Sequence, residues 1–221
     1  MLEPIFLSLR IATIATVFSF IFGVLLAYIL IKKNVPGKNL WETIITLPMI
    51  LPPSVTGYFL LMLLGKRGAI GSALIDLFGF KIIFTWYAAV IAACIVSLPL
   101  MYQNVKAAFL NVDPAYEKAA RTLGSSEFRI FRTITFPLAW PGIISGIVLA
   151  FCRAIGEFGA TLMVAGNIPG KTQTVPTAIY YAVENGNTTE ANTLVMIMTV
   201  FSFVLILSLN KWLEKRNYLG K

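Results

Sequence analysis

The stretch Ile5–Ile31, IFLSLRIATIATVFSFIFGVLLAYILI, decides the fold class of this chain. Its only charged residue is Arg10, which is placed to snorkel outward. A helix needs about 20 apolar residues to cross roughly 30 Å of hydrocarbon, and the stretch is longer than that. Inside a bilayer every backbone N–H and C=O group must find its partner within the protein. The stretch therefore predicts a transmembrane helix.

Four further apolar blocks of spanning length follow, approximately Ile44–Leu64, Phe84–Leu110, Leu138–Ala165 and Ala191–Leu209. The composition agrees, because 57% of the residues are hydrophobic and only 13% are charged, whereas a soluble domain carries about 25% charged residues. We therefore expect an all-α integral membrane protein with five transmembrane helices and a single domain, residues 1–221.

A sixth apolar segment, 175–183, is too short to span the bilayer. Thr174 can cap it, Pro176 suits its first turn, and Gly186 can end it. We expect a short helix that lies at the membrane surface or is partly re-entrant.

The basic residues predict the orientation of the five spans. Loops 32–42 and 106–136 and the C-terminal tail carry twelve Lys and Arg residues, and the opposite side carries four, namely Lys66, Arg67, Lys81 and Lys171. Since loops rich in Lys and Arg stay in the cytoplasm, the N-terminus is expected outside and the C-terminus inside. The net charge of +8 comes from these short loops. The sequence has no basic stripe interleaved with aromatic residues, so we expect no nucleic-acid partner.

The residue types exclude several classes of site. The chain has no histidine, and its two cysteines, Cys94 and Cys152, lie inside apolar blocks without metal-ligand spacing. No carboxylates pair on one face, so we predict neither a hydrolytic site nor a metal or cofactor. The N-terminus lacks the basic region and cleavage site of a signal peptide, so the first block is expected to remain in the mature protein.

The internal loop between the third and fourth blocks predicts a compact helix–turn–helix over about residues 111–136. Asp113-Pro114 is a strong helix start, Gly124 can end that helix in the left-handed conformation, and Ser125 or Ser126 can cap a second one. The small alanines of the first helix would let another protein approach its backbone closely.

The string EKAARTLG over 117–124, followed after nine residues by ITFP over 134–137, resembles the "EAA" motif of ABC-importer permeases. That motif runs Glu-Ala-Ala, three residues, Gly, nine residues, Ile-x-Leu-Pro. The sequence departs from this motif at two positions. Lys118 separates Glu117 from the two alanines, and Phe136 replaces Leu. The resemblance implies that a partner ATPase is coupled through Glu117, Ala119, Ala120, Gly124, Ile134 and Pro137.

The resemblance further implies a type I importer permease without an ATPase of its own, and the chain has no GxxxxGK[ST] phosphate loop. It implies a homodimer with the path on the two-fold axis, separate ATP-binding cassette subunits, and an extracytoplasmic oxyanion-binding protein. The expected location is the cytoplasmic membrane of a prokaryote.

Two other stretches narrow the substrate. LPMILPPSVTGY over 47–58 and RAIGEFGAT over 153–161 resemble molybdate permeases and, less closely, sulfate permeases. The resemblance implies molybdate or tungstate as the substrate, with sulfate or thiosulfate as the alternative. A secondary transporter or a membrane-embedded enzyme is the alternative of a different class, but a secondary transporter usually has internal repeats and coupling acids, and no convincing repeat is present.

A tetrahedral dianion needs hydroxyls, free backbone N–H groups or helix N-termini. Prolines free backbone groups at 48, 52 and 53, and hydroxyls lie beside them, so Pro52, Pro53, Ser54 and Thr56 are candidates for the translocation path. The alternative is that the prolines shape the helix and the hydroxyls bond their own backbone.

Arg153 and Glu157 are opposite charges deep in the fourth block, at i and i+4, where they can pair on one helix face. One interpretation is a buried structural ion pair. The functional alternative is that Arg153 attracts the anion or that the pair acts as a gate. Gly142 and Gly146 form a small-xxx-small motif that is expected to seat a neighbouring helix.

Overall fold

The computed structural model describes residues 2–33 and 35–219, and within these residues the chain is helical and has no strand. The helices are α1 (Leu2–Lys32), α2 (Lys38–Ile50), α3 (Pro53–Leu64), α4 (Ala69–Phe78), α5 (Trp86–Leu110), α6 (Pro114–Thr122), α7 (Glu127–Ile130), α8 (Phe136–Ile155), α9 (Gly159–Ala165), α10 (Val175–Glu184) and α11 (Thr188–Leu219). A π-helical segment, Phe131–Thr135, joins α7 to α8 without a break.

Five segments are long and apolar enough to cross a membrane: Leu2–Lys32, Pro53–Phe78, Trp86–Leu110, Glu127–Ile155 and Thr188–Lys215. This number agrees with the five blocks of the sequence and confirms the all-α, five-span class. Two of the expected boundaries are wrong, for reasons that differ.

The second block is not one helix over Ile44–Leu64. It breaks between α2 and α3 at Leu51 and Pro52, whose ψ angles are 142° and 136°. Two consecutive prolines remove two backbone donors, and each forces the preceding residue out of the helical region. Pro48, which stands alone, remains inside α2.

The fourth block is not one helix over Leu138–Ala165 either. Its helix begins earlier, through the π-helical segment, and α8 ends at Ile155, after which α9 begins at Gly159. The intervening Glu157 carboxylate accepts a hydrogen bond from Ala160 N at 2.8 Å. Glu157 therefore satisfies a free donor at the start of α9, which makes a new helix start more favourable than continuation.

The short helix expected over 175–183 is present as α10. Thr174 and Thr177 exchange hydrogen bonds in a capping box at its start. Ser8 Oγ accepts a hydrogen bond from Val175 N at 2.8 Å, which ties α10 to the first turns of α1.

Helix α5 lies at the centre and packs against both α1 and α8 along the bundle. Small residues set the separation of these helices. A Cβ atom on Gly23 would lie 2.8 Å from Met101 Cγ, and one on Gly142 would lie 2.6 Å from Ala108 Cβ. The expected seat for a neighbouring helix at Gly142 is therefore filled by α5.

The two ends of the bundle differ in their contacts. At one end Lys106 of α5 forms an ion pair of 2.7 Å with Glu42 of α2, and Lys32 at the end of α1 reaches α6. At the other end the Arg10 guanidinium lies 3.9 Å from the ring centroid of Trp86, as a cation–π contact. The basic loops thus meet at one end of the bundle.

Candidate functional site

The first helix of the internal loop, α6, has the start and the end that its sequence indicates. Asp113 Oδ1 accepts a hydrogen bond from Ala115 N at 2.8 Å. At the other end Gly124 has a φ angle of +77°, while Ser125 N donates to Ala120 O at 3.1 Å and Gly124 N donates to Arg121 O at 2.9 Å. These bonds form the paired helix end that a left-handed residue allows.

Nothing lies within 4 Å of a Cβ atom built on Gly124. The need for glycine there comes from the backbone angle and not from crowding.

Of the two serines that could cap the second helix, the structure selects Ser126, whose Oγ accepts a hydrogen bond from Arg129 N at 3.4 Å. The π-helical segment that follows is marked by Phe136 N donating to Phe131 O. A π-helical turn holds one extra residue and is often found at functional sites. Here it turns Thr135 toward α6.

Glu117 does not face outward from the loop. It is only 7% exposed, and its Oε1 accepts a hydrogen bond from Thr135 Oγ1 at 2.7 Å. Its Oε2 is bound by Lys32 Nζ and lies 3.3 Å from Arg121 Nη2. The carboxylate therefore joins α6 to the end of α1 and to the segment that leads into α8.

These partners decide the protonation state of Glu117. Burial acts to raise the pKa of the carboxyl, but the hydrogen bonds from Lys32 and Thr135 and the charges of Lys32 and Arg121 outweigh it. The net result is a pKa below the ordinary 4.5.

Residues on the other side of the helix pair are open to the surroundings. Ala119 and Gly124 are exposed and Ala120 is half-buried. Around them the large side chains of Tyr116, Leu123 and Phe128 are 57%, 85% and 72% exposed. We call the exposed residues Tyr116, Ala119, Leu123, Gly124 and Phe128 the loop face. An apolar surface of this kind on a polar loop is typical of a protein interface.

Ile134 and Pro137, which complete the motif, lie where the loop joins the bundle. Ile134 is half-buried and Pro137 is exposed in the first turn of α8. Beside them Phe131 packs against Tyr28 with ring centroids 4.5 Å apart and against Phe136 at 5.8 Å. Phe136, the departure from the motif, thus fills an aromatic cluster that fixes the loop to α1.

The candidates for the translocation path lie where the two broken helices meet. A Cβ atom on Gly159 would lie 3.0 Å from Pro53 Cβ, and one on Gly57 would lie 2.8 Å from Ala160 Cα. The N-terminal turns of α3 and α9 are therefore in close contact. Residues that are about a hundred positions apart in the chain come together here.

The four candidates for the path on α3 and just before it differ in their exposure. Pro52, Pro53 and Ser54 are exposed in the single chain. Thr56 is 5% exposed, and its Oγ1 has no hydrogen-bond partner among the described residues. The structure thus does not show Thr56 bonded to its own backbone.

Arg153 and Glu157 form an ion pair, with Arg153 Nη1 2.8 Å from Glu157 Oε2. The Glu157 side chain is 1% exposed and that of Arg153 is 32% exposed. Because Glu157 lies beyond the end of α8 and also binds Ala160 N, the pair links the end of α8 to the start of α9.

This geometry gives an expected result for substitutions of the pair. Arg153→Ala leaves a buried carboxylate without its cation, and we expect a loss of about 2–4 kcal/mol in the free energy of unfolding. Adding Glu157→Gln removes the charge and keeps an oxygen for Ala160 N, so the double variant should recover much of the stability and transport. Thermal melting and uptake measured on both variants check this. Equal loss of transport in the two variants would favour a direct role of Arg153 toward the anion.

Sequence reasoning missed Lys32 and Thr135 as partners of Glu117, and Leu123 and Phe128 on the loop face. The last two had a signal, since they are large apolar residues inside an otherwise polar loop. In the part of the chain that the structure describes, no three His, Cys, Asp or Glu residues come together as metal ligands.

Comparison with known proteins extends over almost the whole chain. A model of the family "Binding-protein-dependent transport system inner membrane component" matches residues 19–217. The molybdenum transport system permease protein ModB of Escherichia coli (strain K12) is 42% identical over 213 residues, which is 96% of this chain and 93% of that protein. A putative molybdenum transport system permease protein, YvgM of Bacillus subtilis (strain 168), is 44% identical over 203 residues, 92% of this chain and 89% of that protein.

The sulfate transport system permease protein CysT of Escherichia coli (strain K12) is less similar, at 32% identity over 199 residues, 90% of this chain and 72% of that protein. Among solved structures, a bacterial ABC transporter involved in alginate import has a TM-score of 0.77 at 17% identity, with 97% of this chain and 79% of that chain covered. The inward-facing methionine ABC transporter MetNI has a TM-score of 0.74 at 16% identity and covers 97% of this chain and 95% of its own. These matches confirm the expected type I importer permease fold.

Proposed function

The chain belongs to the family of binding-protein-dependent transport system inner membrane components, and we propose that within it this protein is the permease subunit of an ATP-driven importer of molybdate. It is a multi-pass membrane protein with five spans. The similarity to molybdenum permeases over nearly the whole chain carries the choice of substrate. Tungstate has the same shape and charge as molybdate and is expected to share the path.

The loop face is the proposed contact with an ATP-binding cassette subunit. Leu123 and Phe128 are more than two-thirds exposed. The basic residues predict that their loop is cytoplasmic, where bilayer hydrocarbon would not cover them. Ala119 and Gly124 carry little side chain, so a groove on a partner can approach the α6 backbone. The proposed contact also depends on three residues that lie between the loop face and the bundle, namely Ala120, Ile134 and Pro137.

Glu117 has a proposed role that differs from direct contact with the ATPase. Its bonds to Lys32 and Thr135 join α6 to α1 and to the segment that leads into α8, so α6 is expected to move with both helices. A displacement of the loop face by a closing ATPase pair would thus pass to two spans at once. This supports an alternating-access cycle driven from the cytoplasmic side.

The path for the oxyanion is proposed along the place where α3 and α9 begin. Half-helix N-termini inside a membrane offer free N–H groups to anions. Pro52, Pro53 and Ser54 are exposed in the single chain, which fits a path between two copies related by a two-fold axis. Arg153 supplies a nearby positive charge and Glu157 holds it in place.

The proposed importer is completed outside the cell by a soluble oxyanion-binding protein. An alginate importer of the same fold has been solved in complex with its periplasmic protein. The proposed location is the cytoplasmic membrane of a prokaryote, in line with the bacterial relatives.

Uptake competition tests the substrate. Proteoliposomes that contain the permease with its ATPase and binding protein are expected to take up molybdate, to lose that uptake to excess tungstate, and to keep it in excess sulfate. Equal competition by sulfate would make the protein a sulfate or thiosulfate permease. Uptake that continues when the ATPase is omitted would instead indicate a secondary transporter.

A further inference from the structure

A cavity of about 260 Å³ lies at the outer end of the bundle, between α3, α4 and the segment before α5. Its walls are mainly apolar and include Leu61, Leu64, Ile75 and Ile82. Two lysines, Lys66 and Lys81, also line it. The molybdate path proposed above does not use this cavity.

The backbone is closely packed at the turn from α3 into α4. A Cβ atom on Gly68 would lie 2.1 Å from Met62 O, and one on Gly71 would lie 2.0 Å from Gly65 O. Only glycine permits this approach, so α4 folds back directly on the end of α3. This fold-back places Gly65 and Ile75 on the wall of the same cavity.

Among the residues that the structure describes, neither lysine has an ion-pair partner. No carboxylate of the described residues lies within ion-pairing distance of Lys66 or Lys81. Asp76 on α4 is exposed and forms no ion pair with either lysine among the described contacts. Two unpaired cations at the edge of an apolar cavity complement an amphiphile that carries a negative charge.

Phe84, which lines the same cavity, has an unusual backbone conformation. Its φ angle is +63°, which bulky residues rarely adopt. The conformation is held by a hydrogen bond of 2.9 Å from Phe84 N to Val164 O and by the contact of its ring with Gly166. It leaves the ring 60% exposed and lining the cavity.

The surface around the cavity indicates which kind of amphiphile could bind there. On α4 and after it, Leu77, Phe78 and Phe80 are 74%, 75% and 43% exposed. The orientation that the basic residues predict puts the α3–α4 turn, which carries Lys66 and Arg67, on the outer side of the membrane near the headgroups. At that depth apolar side chains face acyl chains and lysines reach phosphates.

We infer that this cavity binds one phospholipid of the outer leaflet, with an acyl chain against Phe84 and the apolar walls and its phosphate between Lys66 and Lys81. Since both lysines are unpaired, a lipid with net negative charge, such as phosphatidylglycerol, is preferred over zwitterionic phosphatidylcholine. The bound lipid would fix α4 in the interface and keep the outer ends of α3 and α5 together.

Native mass spectrometry of the full-length protein, released from nanodiscs of mixed phosphatidylglycerol and phosphatidylcholine, tests the inference. One phosphatidylglycerol per chain is expected to remain bound. The double variant Lys66→Gln/Lys81→Gln should weaken its retention about fivefold for each lysine. Lys66→Arg/Lys81→Arg should retain the lipid, and Lys171→Gln, an exposed lysine of the same side that does not line the cavity, should not change it.

A second variant keeps the charges and changes the cavity. Ile75→Phe narrows the apolar part and should also lower retention, which separates the site from general attraction to lysines. Equal retention by the double glutamine variant and the wild type, or equal retention of phosphatidylcholine, would overturn the inference. Displacement of the lipid by free molybdate would also overturn it, since the lysines would then be an oxyanion site. None of these results depends on transport, so the proposed function is tested separately.

Discussion

Gly124→Val is expected to remove ATPase binding while the protein still inserts into the membrane. The φ angle of +77° at Gly124 costs an L-residue about 1–2 kcal/mol, and more for a β-branched side chain. To avoid this cost the end of α6 would unwind, which would displace the neighbouring Leu123 from the loop face. We expect at least a tenfold loss in the affinity for the ATPase and a matching loss of ATP-driven uptake.

Gly186→Val is a closely matched control for this variant. Gly186 has a φ angle of +75°, has nothing within 4 Å of its Cβ position, and ends α10 with the same hydrogen-bond pattern. It lies at the end of the bundle opposite the loop face. Co-purification should show a full ATPase complement with Gly186→Val and a depleted one with Gly124→Val. A full complement with both variants would contradict the docking role of the loop face.

Glu117→Ala is expected to separate ATP hydrolysis from transport. The substitution leaves Lys32 and Thr135 without the acceptor that they now share. A buried group without its partner costs about 1–3 kcal/mol, and the lower part of that range applies because the Lys32 side chain is 25% exposed. Amide exchange over residues 115–123 should become roughly tenfold faster. Hydrolysis should continue while uptake falls, since the loop would move without α1.

Glu127→Gln is the matched control, because Glu127 binds the same Arg121 but its side chain is 55% exposed. An exposed ion pair contributes little, so this variant should change exchange and uptake only slightly. The exchanged pair Lys32→Glu/Glu117→Lys should restore part of the uptake. Wild-type uptake by Glu117→Ala would show that α6 acts without its bond to α1.

The pH dependence of the same contact follows from the lowered pKa of Glu117. A carboxyl whose pKa is lower in the folded protein stabilises it above the ordinary value of 4.5, and this stabilisation is lost as the pH falls through the lowered pKa. Protection of α6 against amide exchange should therefore stay level from neutral pH to about 5 and disappear in stronger acid. Glu117→Gln should show no such transition.

Several features of this protein follow from the sequence alone. Unbroken apolar blocks predict five spans, because lipid can satisfy no backbone group. Asp113 and Gly124 predict both ends of α6, because caps depend on residues within a few positions of each other. The motif spacing and the placement of basic residues predict the family and the proposed coupling loop, and the comparisons confirm the family.

The tertiary structure alone decided which way the functional side chains face. Glu117 turns inward because Lys32, 85 positions away in the chain, meets it at the end of α1. The contact of α9 with α3 depends on Gly57 and Gly159, whose missing side chains matter only once the two helices meet. The local sequence pattern determines where a helix can form. Burial, ion pairing and close approach depend on residues that are distant in the chain, so the periodicity of the sequence does not predict them.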